Sequence, residues 1–495
     1  MSLALSLTSI ASMTGLRTCS ETPSLTLRVC TFLNLSNGIA TANPLNVEHL
    51  LLSNFPNYVK GSRFNDILQE FLGHGIFNVD GDLWIIQHKI ASYEFNTKSL
   101  KHFISETVKS EILKRLIPLL WNACGENKII DLQDVLQKFT FDNVCNIAFG
   151  VDPVSLNTDK MSENVRQLCF AKAFDDAVEI SSSRFMLPLP LIWKIKRFLN
   201  IGSEKRFKEA VKVINDYAME IIRFKEGDSG TKVRMDNGNE VHRDQDLLSR
   251  FMSSSVNLEF RDQEQRRKFL RDIVISFVLA GRDSTSTALT WFFWLISGHP
   301  RCAYLIYKEL SKAVTTVSMP ESLPITFSYN ELKKLHYLHA ALSESMRLFP
   351  PVPINSRLAV DDDVLPDGTQ VRKGWFADYS AYAMGRMEKV WGHDCREFKP
   401  ARWLNADGVF QTPDQFRFPV FHCGPRICLG KEMAYVQMKS IAAAVIYEFE
   451  IIAVDGGGCS EKMMSPPYVI SLLLKMRGGL PVRLKRREQP PSKED

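Results

Sequence analysis

From Asn46 onward, apolar positions recur at three- and four-residue intervals, the period of a helix with one buried face. The spacing predicts helices over 45–54, 64–72, 83–93, 98–122, 132–149, 163–180 and 203–226. Residues 20–43 are rich in Thr, Leu, Val and Ser and are expected to form short strands and turns. The polar stretch EGDSGTKVRMDNGNEVHRDQ (226–245) is expected to be a surface loop. A long helix is predicted over 262–297, stopped by Gly298-His299-Pro300. Another covers 329–348 and ends before FPPVPINS, because proline blocks helix continuation. Residues 357–380, with the turn LPDGT, alternate as strands do, and a final helix is predicted over 429–448. The pattern describes a mainly α fold with a small β part in a single large domain. No run of 18 apolar residues occurs, so no transmembrane helix is predicted. The weakly apolar first twelve residues lack the basic start of a signal peptide.

Composition narrows the function classes. Of 495 residues, 45% are hydrophobic and 24% charged, which suits a large core. The net charge of +5 is small, and the one dense basic run, LKRREQPPSKED, is broken by acids. It is expected to be a solvated tail, and no nucleic-acid partner is expected. The ten cysteines are scattered without a Cys-x-x-Cys pair, which points to reduced thiols rather than a disulfide scaffold. Cys423 and Cys428 are too far apart for a zinc knuckle.

The stretch FHCGPRICLG (421–430) concentrates the candidate chemistry. Cys428 precedes a predicted helix N-terminus, whose dipole and open N–H groups favour a thiolate. Gly424 and Gly430 would let backbone pass close to a flat ligand. Arg426 would neutralise a carboxylate, and Phe421 would pack beside the sulfur and limit water. A lone cysteine before a helix is ordinarily a buried thiol. The whole pattern Phe-x-x-Gly-x-Arg-x-Cys-x-Gly instead describes a metal ligand to haem iron, where a thiolate favours O–O cleavage.

This stretch resembles the haem-binding loop of cytochrome P-450 monooxygenases, and three further motifs follow the family's order. By that resemblance, Glu344 and Arg347 of ESMR join Arg402 of FKPARW in a buried charge network; alone, they read as a surface ion pair. The family usually has an acid where this chain has Ala401. In AGRDST, Ala280 and Gly281 would make room for dioxygen above a haem, and Asp283 with an alcohol would relay protons. That alcohol is usually threonine; here it is Ser284, with Thr285 a substitute only if the helix distorts. The alternative is a serine bonded back to the i−4 carbonyl. Trp84 and His88 would reach a haem propionate, although arginine is typical at the second position, and His88 also reads as a plain surface histidine.

The resemblance is closer still to the plant fatty-acid omega-hydroxylase family numbered ninety-four, on FLGHGIFNVDGDLW, SYEFNTKSL, FTFDNVCNIAFG, AGRDSTSTALTWFFWL, DDDVLPDGTQVRKG, AYAMGRMEKVWG and GKEMAYVQMKSI. It spans roughly Asn46 to Arg483. It implies haem b, dioxygen, NADPH electrons delivered through a separate reductase, and the cytosolic face of the endoplasmic reticulum. No Gly-x-Gly-x-x-Gly fingerprint occurs, in keeping with a separate donor. Lys431 and Lys439 would contribute to reductase docking; alone, each reads as part of an ordinary solvated helix face. Phe71, Ile76, Phe77, Phe277 and Val352 would line an apolar channel; alone, each reads as core. The expected plan is a divergent or shortened segment 1–45 without the family's anchor, a monooxygenase domain 46–483 and a polar tail 484–495, with any membrane contact peripheral. Oxidation of jasmonoyl-amino-acid conjugates, and haem binding without turnover, remain as alternatives.

Overall fold

The computed structural model describes residues 17–487 except 22–24, 31–36, 157–164, 188–189, 229–234, 237–238, 241–245, 255–259, 315–323, 455–462 and 464. The fold is mainly helical with small sheets at its margins. The helix Leu132–Phe149 shows why the boundaries fall where they do. Asp131 accepts a hydrogen bond from the Gln133 amide at its start, and Gly150 closes it in the left-handed conformation. Most of its side chains are buried, so it runs through the interior.

The central helix begins at Gln263, where the Asp262 carboxylate caps the Gln265 amide. It continues to Ser297 through a π-helical segment, Leu279–Asp283. A π turn leaves backbone carbonyls without their usual partners. Here the Thr140 hydroxyl donates to the Arg282 carbonyl at 2.7 Å, and Ser286 donates to the same carbonyl at 2.9 Å. Beyond the π turn every side chain from Thr285 to Ile296 is buried. Trp291 stacks on Phe349 at 4.4 Å and donates its indole N–H to the Leu474 carbonyl. Pro300 does not merely stop this helix; it opens the next, Pro300–Val314. The predicted helix over 329–348 is broken at Leu335 into Tyr329–Lys334 and His336–Leu348. The helices Pro190–Leu199, Leu247–Ser254 and Pro300–Val314 were not anticipated from the pattern.

The largest sheet joins distant parts of the chain. Asn37–Thr41 pairs in parallel with Phe376–Tyr379, which pairs antiparallel with Asn355–Ala359. This sheet reaches upstream of Asn46, through Thr26–Cys30 to Arg17–Glu21. At the other end, Pro481–Arg486 pairs with Phe449–Ala453, so Leu484 to Arg486 belong to a sheet rather than to a tail. Residues 488–495 lie outside the described part, as do most of the 229–245 loop and residues 1–16. Among the described residues, no helix is long and apolar enough to cross a membrane.

Candidate active site

The loop carrying Cys428 is fixed by backbone geometry. Its amide donates to the Phe421 carbonyl at 2.8 Å, and the Ile427 amide donates to Gly424. The helix that follows runs Lys431–Glu448, so Cys428 stands three residues ahead of it. Gly424 has φ +65, and a Cβ there would lie 2.0 Å from the Leu51 carbonyl oxygen. Gly424 therefore lets the loop pack closely against the backbone at Leu51. At Gly430 a Cβ would meet only Phe95 and the Cys428 sulfur at ordinary contact distance. The Cys428 residue is exposed, although protein encloses its sulfur. Burial pushes its thiol pKa up, opposed by the Gly430 amide and by Lys431.

Arg426 leads into a cluster of cations. Its guanidinium donates to the Val79 carbonyl and, at 2.7 Å, to Asp80, and lies over the Trp84 ring at 4.5 Å. Asp80 also accepts the amides of Lys60 and Gly61. Arg426, Lys60 and Arg357 all feel this carboxylate, and His88 and His422 feel the positive charge of Arg426. Burial and the Arg357 charge hold Arg426 down to about 10. Burial, then Arg357 and Arg426, hold Lys60 well below its usual range, and burial with the same cations depresses His422. Arg357 is 1% exposed, and its Nε has no hydrogen-bond partner. His88 packs against Trp84 at 5.0 Å, and its Nε2 is likewise buried without a partner. Burial and Arg426 lower the His88 pKa, so the ring is neutral near pH 7. Buried cations in excess of acids, with the Arg357 Nε and His88 Nε2 atoms unpartnered, fit an anionic ligand. Arg357, Lys60 and His422 were missed in the sequence; the alternation of strand Asn355–Ala359, which turns Arg357 inward, was the one available signal.

On the central helix, Phe277, Leu279, Ala280, Gly281 and Ser284 stay partly accessible, while Val278, Arg282 and Asp283 are buried. The spacing of Phe277, Ala280, Gly281 and Ser284 places them on one face. A Cβ at Gly281 would lie 2.5 Å from a Val144 methyl, so this glycine lets two helices approach. The Ser284 hydroxyl donates to the Ala280 carbonyl at 2.6 Å, the i−4 arrangement. Asp283 is fully buried and faces Arg282, Lys475 and Gln137. Thr285 is buried one position further on. The helix does distort, but the structure shows no bond between Asp283 and either hydroxyl.

Glu344, Arg347 and Arg402 come together in the interior, not on the surface. Both Glu344 and Arg347 have fully buried side chains. Glu344 accepts from Arg347 Nε and Nη2, Arg402 Nε, the Trp403 indole and the Lys399 amide, all at 2.7–2.9 Å. Arg347 spends its other donors on the carbonyls of Gly385, Cys395 and Glu397. The acid absent at Ala401 has a counterpart in Asp394, which takes Arg402 at 3.0 Å. Hydrogen bonds from Lys399 and then Arg402 hold Asp394 down to about 2.

The family model described as Cytochrome P450 matches residues 37–477, nearly the whole described chain. The chain belongs to the cytochrome P450 family. It is 46% identical over 455 residues to cytochrome P450 94A1 of Vicia sativa, covering 91% of this chain and 82% of that protein. Cytochrome P450 94C1 of Arabidopsis thaliana is 43% identical, covering 94% and 88%. Cytochrome P450 86B1 of the same plant is 42% identical, covering 90% and 77%. Membership implies a haem iron cofactor and electrons from a redox partner.

Within this P450 fold, the apolar candidates separate. Phe71 is fully buried against Phe174 at 5.2 Å and belongs to the core. Ile76, Phe77, Phe277 and Val352 are only partly buried. Lys439 is not a docking residue. It is 4% exposed, donates to the Leu332 carbonyl at 2.7 Å, and burial lowers its pKa to about 8. Lys431, at the helix start, remains partly accessible.

Proposed function

We propose that this P450 inserts one atom of dioxygen into the terminal C–H bond of fatty acids, with haem b held by Cys428 and electrons drawn from NADPH through a separate reductase. The observation that carries the haem site is the exposed Cys428 on its fixed loop together with the cluster of Arg426, Arg357 and Lys60, which share the single acid Asp80. Haem iron bound to the Cys428 thiolate would supply the oxygen-activating chemistry. The protein's part is then electrostatic and positional. Cys428 would be the residue that holds the iron, with the Gly430 amide and Lys431 stabilising negative charge on its sulfur against the burial that opposes it. Arg357, Arg426, Lys60 and Trp84 would hold the propionates, with His88 and His422 as neutral neighbours. Asp283 and Ser284 would hold and pass protons, the Ser284 hydroxyl leaving the Ala280 carbonyl to do so, with buried Thr285 behind them. The Glu344–Arg347–Arg402 network would fix the segments on which this site rests.

The terminal-carbon assignment is supported by the resemblance to the ninety-four family and by the partly accessible apolar side chains Ile76, Phe77, Phe277 and Val352. Attachment to the endoplasmic reticulum belongs to the same reading. The test is reconstitution with a plant P450 reductase and NADPH, followed by product analysis on a panel of long-chain fatty acids and jasmonoyl-amino-acid conjugates. Terminal alcohols from the fatty acids are expected. Exclusive turnover of the conjugates would replace the substrate class, and NADPH consumption without product would refute the monooxygenase reading.

A further inference from the structure

Away from the candidate active site, three carboxylates share one arginine near the end of helix Leu132–Phe149. Arg115, on the π-helical segment Ile112–Leu116, donates to Glu111 at 2.7 Å and to both oxygens of Asp152, at 2.8 and 2.5 Å. Asp142, on the helix itself, lies 3.7 Å from the same guanidinium. The side chains of Glu111 and Asp142 are 8% and 0% exposed, whereas that of Asp152 is 39% exposed. The two-pronged contact therefore goes to the acid that water already serves. Glu111 Oε2 is buried without a hydrogen-bond partner, which suits a neutral carboxyl better than an ion. The surrounding groups do not restore the balance. Lys114 acts on the exposed Asp152, and Lys225, at Gly150, is paired with Asp246. Cys145 and Tyr217 feel Asp142, and burial keeps both neutral.

The same carboxylates hold a loop. Asp152 accepts the Val154 amide at 3.1 Å, and the Asp142 oxygens accept the Ser155 amide at 3.0 and 2.8 Å. Val154 has φ +56, a left-handed conformation that a β-branched residue adopts only under constraint. The turn is strained and charge clamps it. Thr140 and Val144, two positions either side of Asp142, are the residues that meet the π segment of the central helix. Burial raises Glu111 to about 7, against the pull of Arg115, and raises Asp142 to about 6.

We propose that this junction is a pH-responsive clasp, in which a proton held among the crowded carboxylates keeps Arg115 on Asp152 and the loop 151–156 closed. When that proton leaves, Glu111 competes for Arg115 as an anion. Arg115 turns inward, Asp152 loses its partner, and the strain at Val154 favours opening. Opening admits water to Glu111 and returns its carboxyl toward the ordinary value of 4.5, so opening is coupled to proton release. The population of the open loop then rises with pH up to about 7 and levels off above it. An ion pair that merely braces the loop gives no such slope.

The experiment follows hydrogen exchange at the Val154 and Ser155 amides in the haem-loaded full chain, divided at each pH by the rate of an unstructured reference peptide. It needs no turnover, so its outcome does not depend on the monooxygenase reading. In wild type the corrected rate is expected to rise about tenfold between pH 6 and pH 8 and then to level off. Glu111→Gln keeps the shape and an acceptor for Arg115 but cannot ionise, and it should stay close to its low-pH rate throughout. Asp152→Asn leaves Arg115 to Glu111 at every pH, so it should exchange faster than wild type at pH 6 and change little beyond. A flat wild-type profile, or a wild-type slope in either variant, overturns the proposal.

Discussion

Replacing Glu344 by glutamine keeps its shape and removes its charge. Five donors converge on its two oxygens, and the side chain is fully buried. Glutamine offers one oxygen where two were used, and its amide would point a donor at donors. Arg347 would be left charged, fully buried and without an anion, and its three carbonyl contacts cannot neutralise it. Breaking a buried ion pair from one side costs about 3–5 kcal/mol. That is a large share of the roughly 5–15 kcal/mol that holds a typical protein folded. Asp394→Asn is the matched control, because it also removes a negative charge from Arg402. Its carboxylate is 28% exposed, so the expected loss is about 1 kcal/mol or less. The assay is the urea midpoint followed by haem release and by tryptophan fluorescence, with haem content from the reduced carbon monoxide spectrum. Glu344→Gln should fail to accumulate as haem-loaded protein or unfold far earlier; Asp394→Asn should stay close to wild type. Equal effects from the two variants would refute the claim that burial sets the cost.

Cys428→Ala should abolish the red-shifted reduced carbon monoxide band of thiolate ligation; its persistence would place the axial ligand elsewhere. His88→Arg should slow haem transfer to apomyoglobin several-fold, because it supplies a permanent donor where a neutral ring now has an unpartnered nitrogen; an unchanged rate would remove His88 from the propionate site. Lys439 has its folded-state pKa lowered to about 8, so the unfolded chain binds the extra proton between about pH 8 and its ordinary value near 10.5. Its contribution is fully present above that window and is lost as pH falls toward 8, on the order of 3 kcal/mol. Lys439→Met should flatten stability across that range, and should leave reductase affinity unchanged because the amine is buried.

What was legible in the sequence follows from how local each signal is. The cap at Asp131 and the left-handed Gly150 mark one helix by adjacent residues, and its predicted limits coincide with those observed. The Cys428 loop is similarly compact in sequence. The break at Leu335 and the helix Pro190–Leu199 are less visible, because the apolar rhythm runs on through a break and is too short to stand out in ten residues. Lys439 was misjudged because a helix buried on all sides from Tyr435 to Glu448 carries no polar face to contrast with. The cation cluster was only partly legible. Arg426, His88 and His422 sit in the quoted motifs, but Lys60 and Arg357 join them through tertiary folding, with only the alternation of strand Asn355–Ala359 to hint at Arg357. Asp394, standing in for the acid missing at Ala401, was hidden for the same reason.

The parallel pairing of Asn37–Thr41 with Phe376–Tyr379 sets a schedule for the chain's birth. More than three hundred residues separate the two strands, and at ribosomal speeds of about 5–20 residues per second the first waits on the order of 20–70 s for the second. During that interval the edge carrying Ile39, buried once the sheet closes, has no permanent neighbour. The sheet can therefore be completed only late in synthesis, and until then the antiparallel partner Thr26–Cys30 covers only one edge of the early strand.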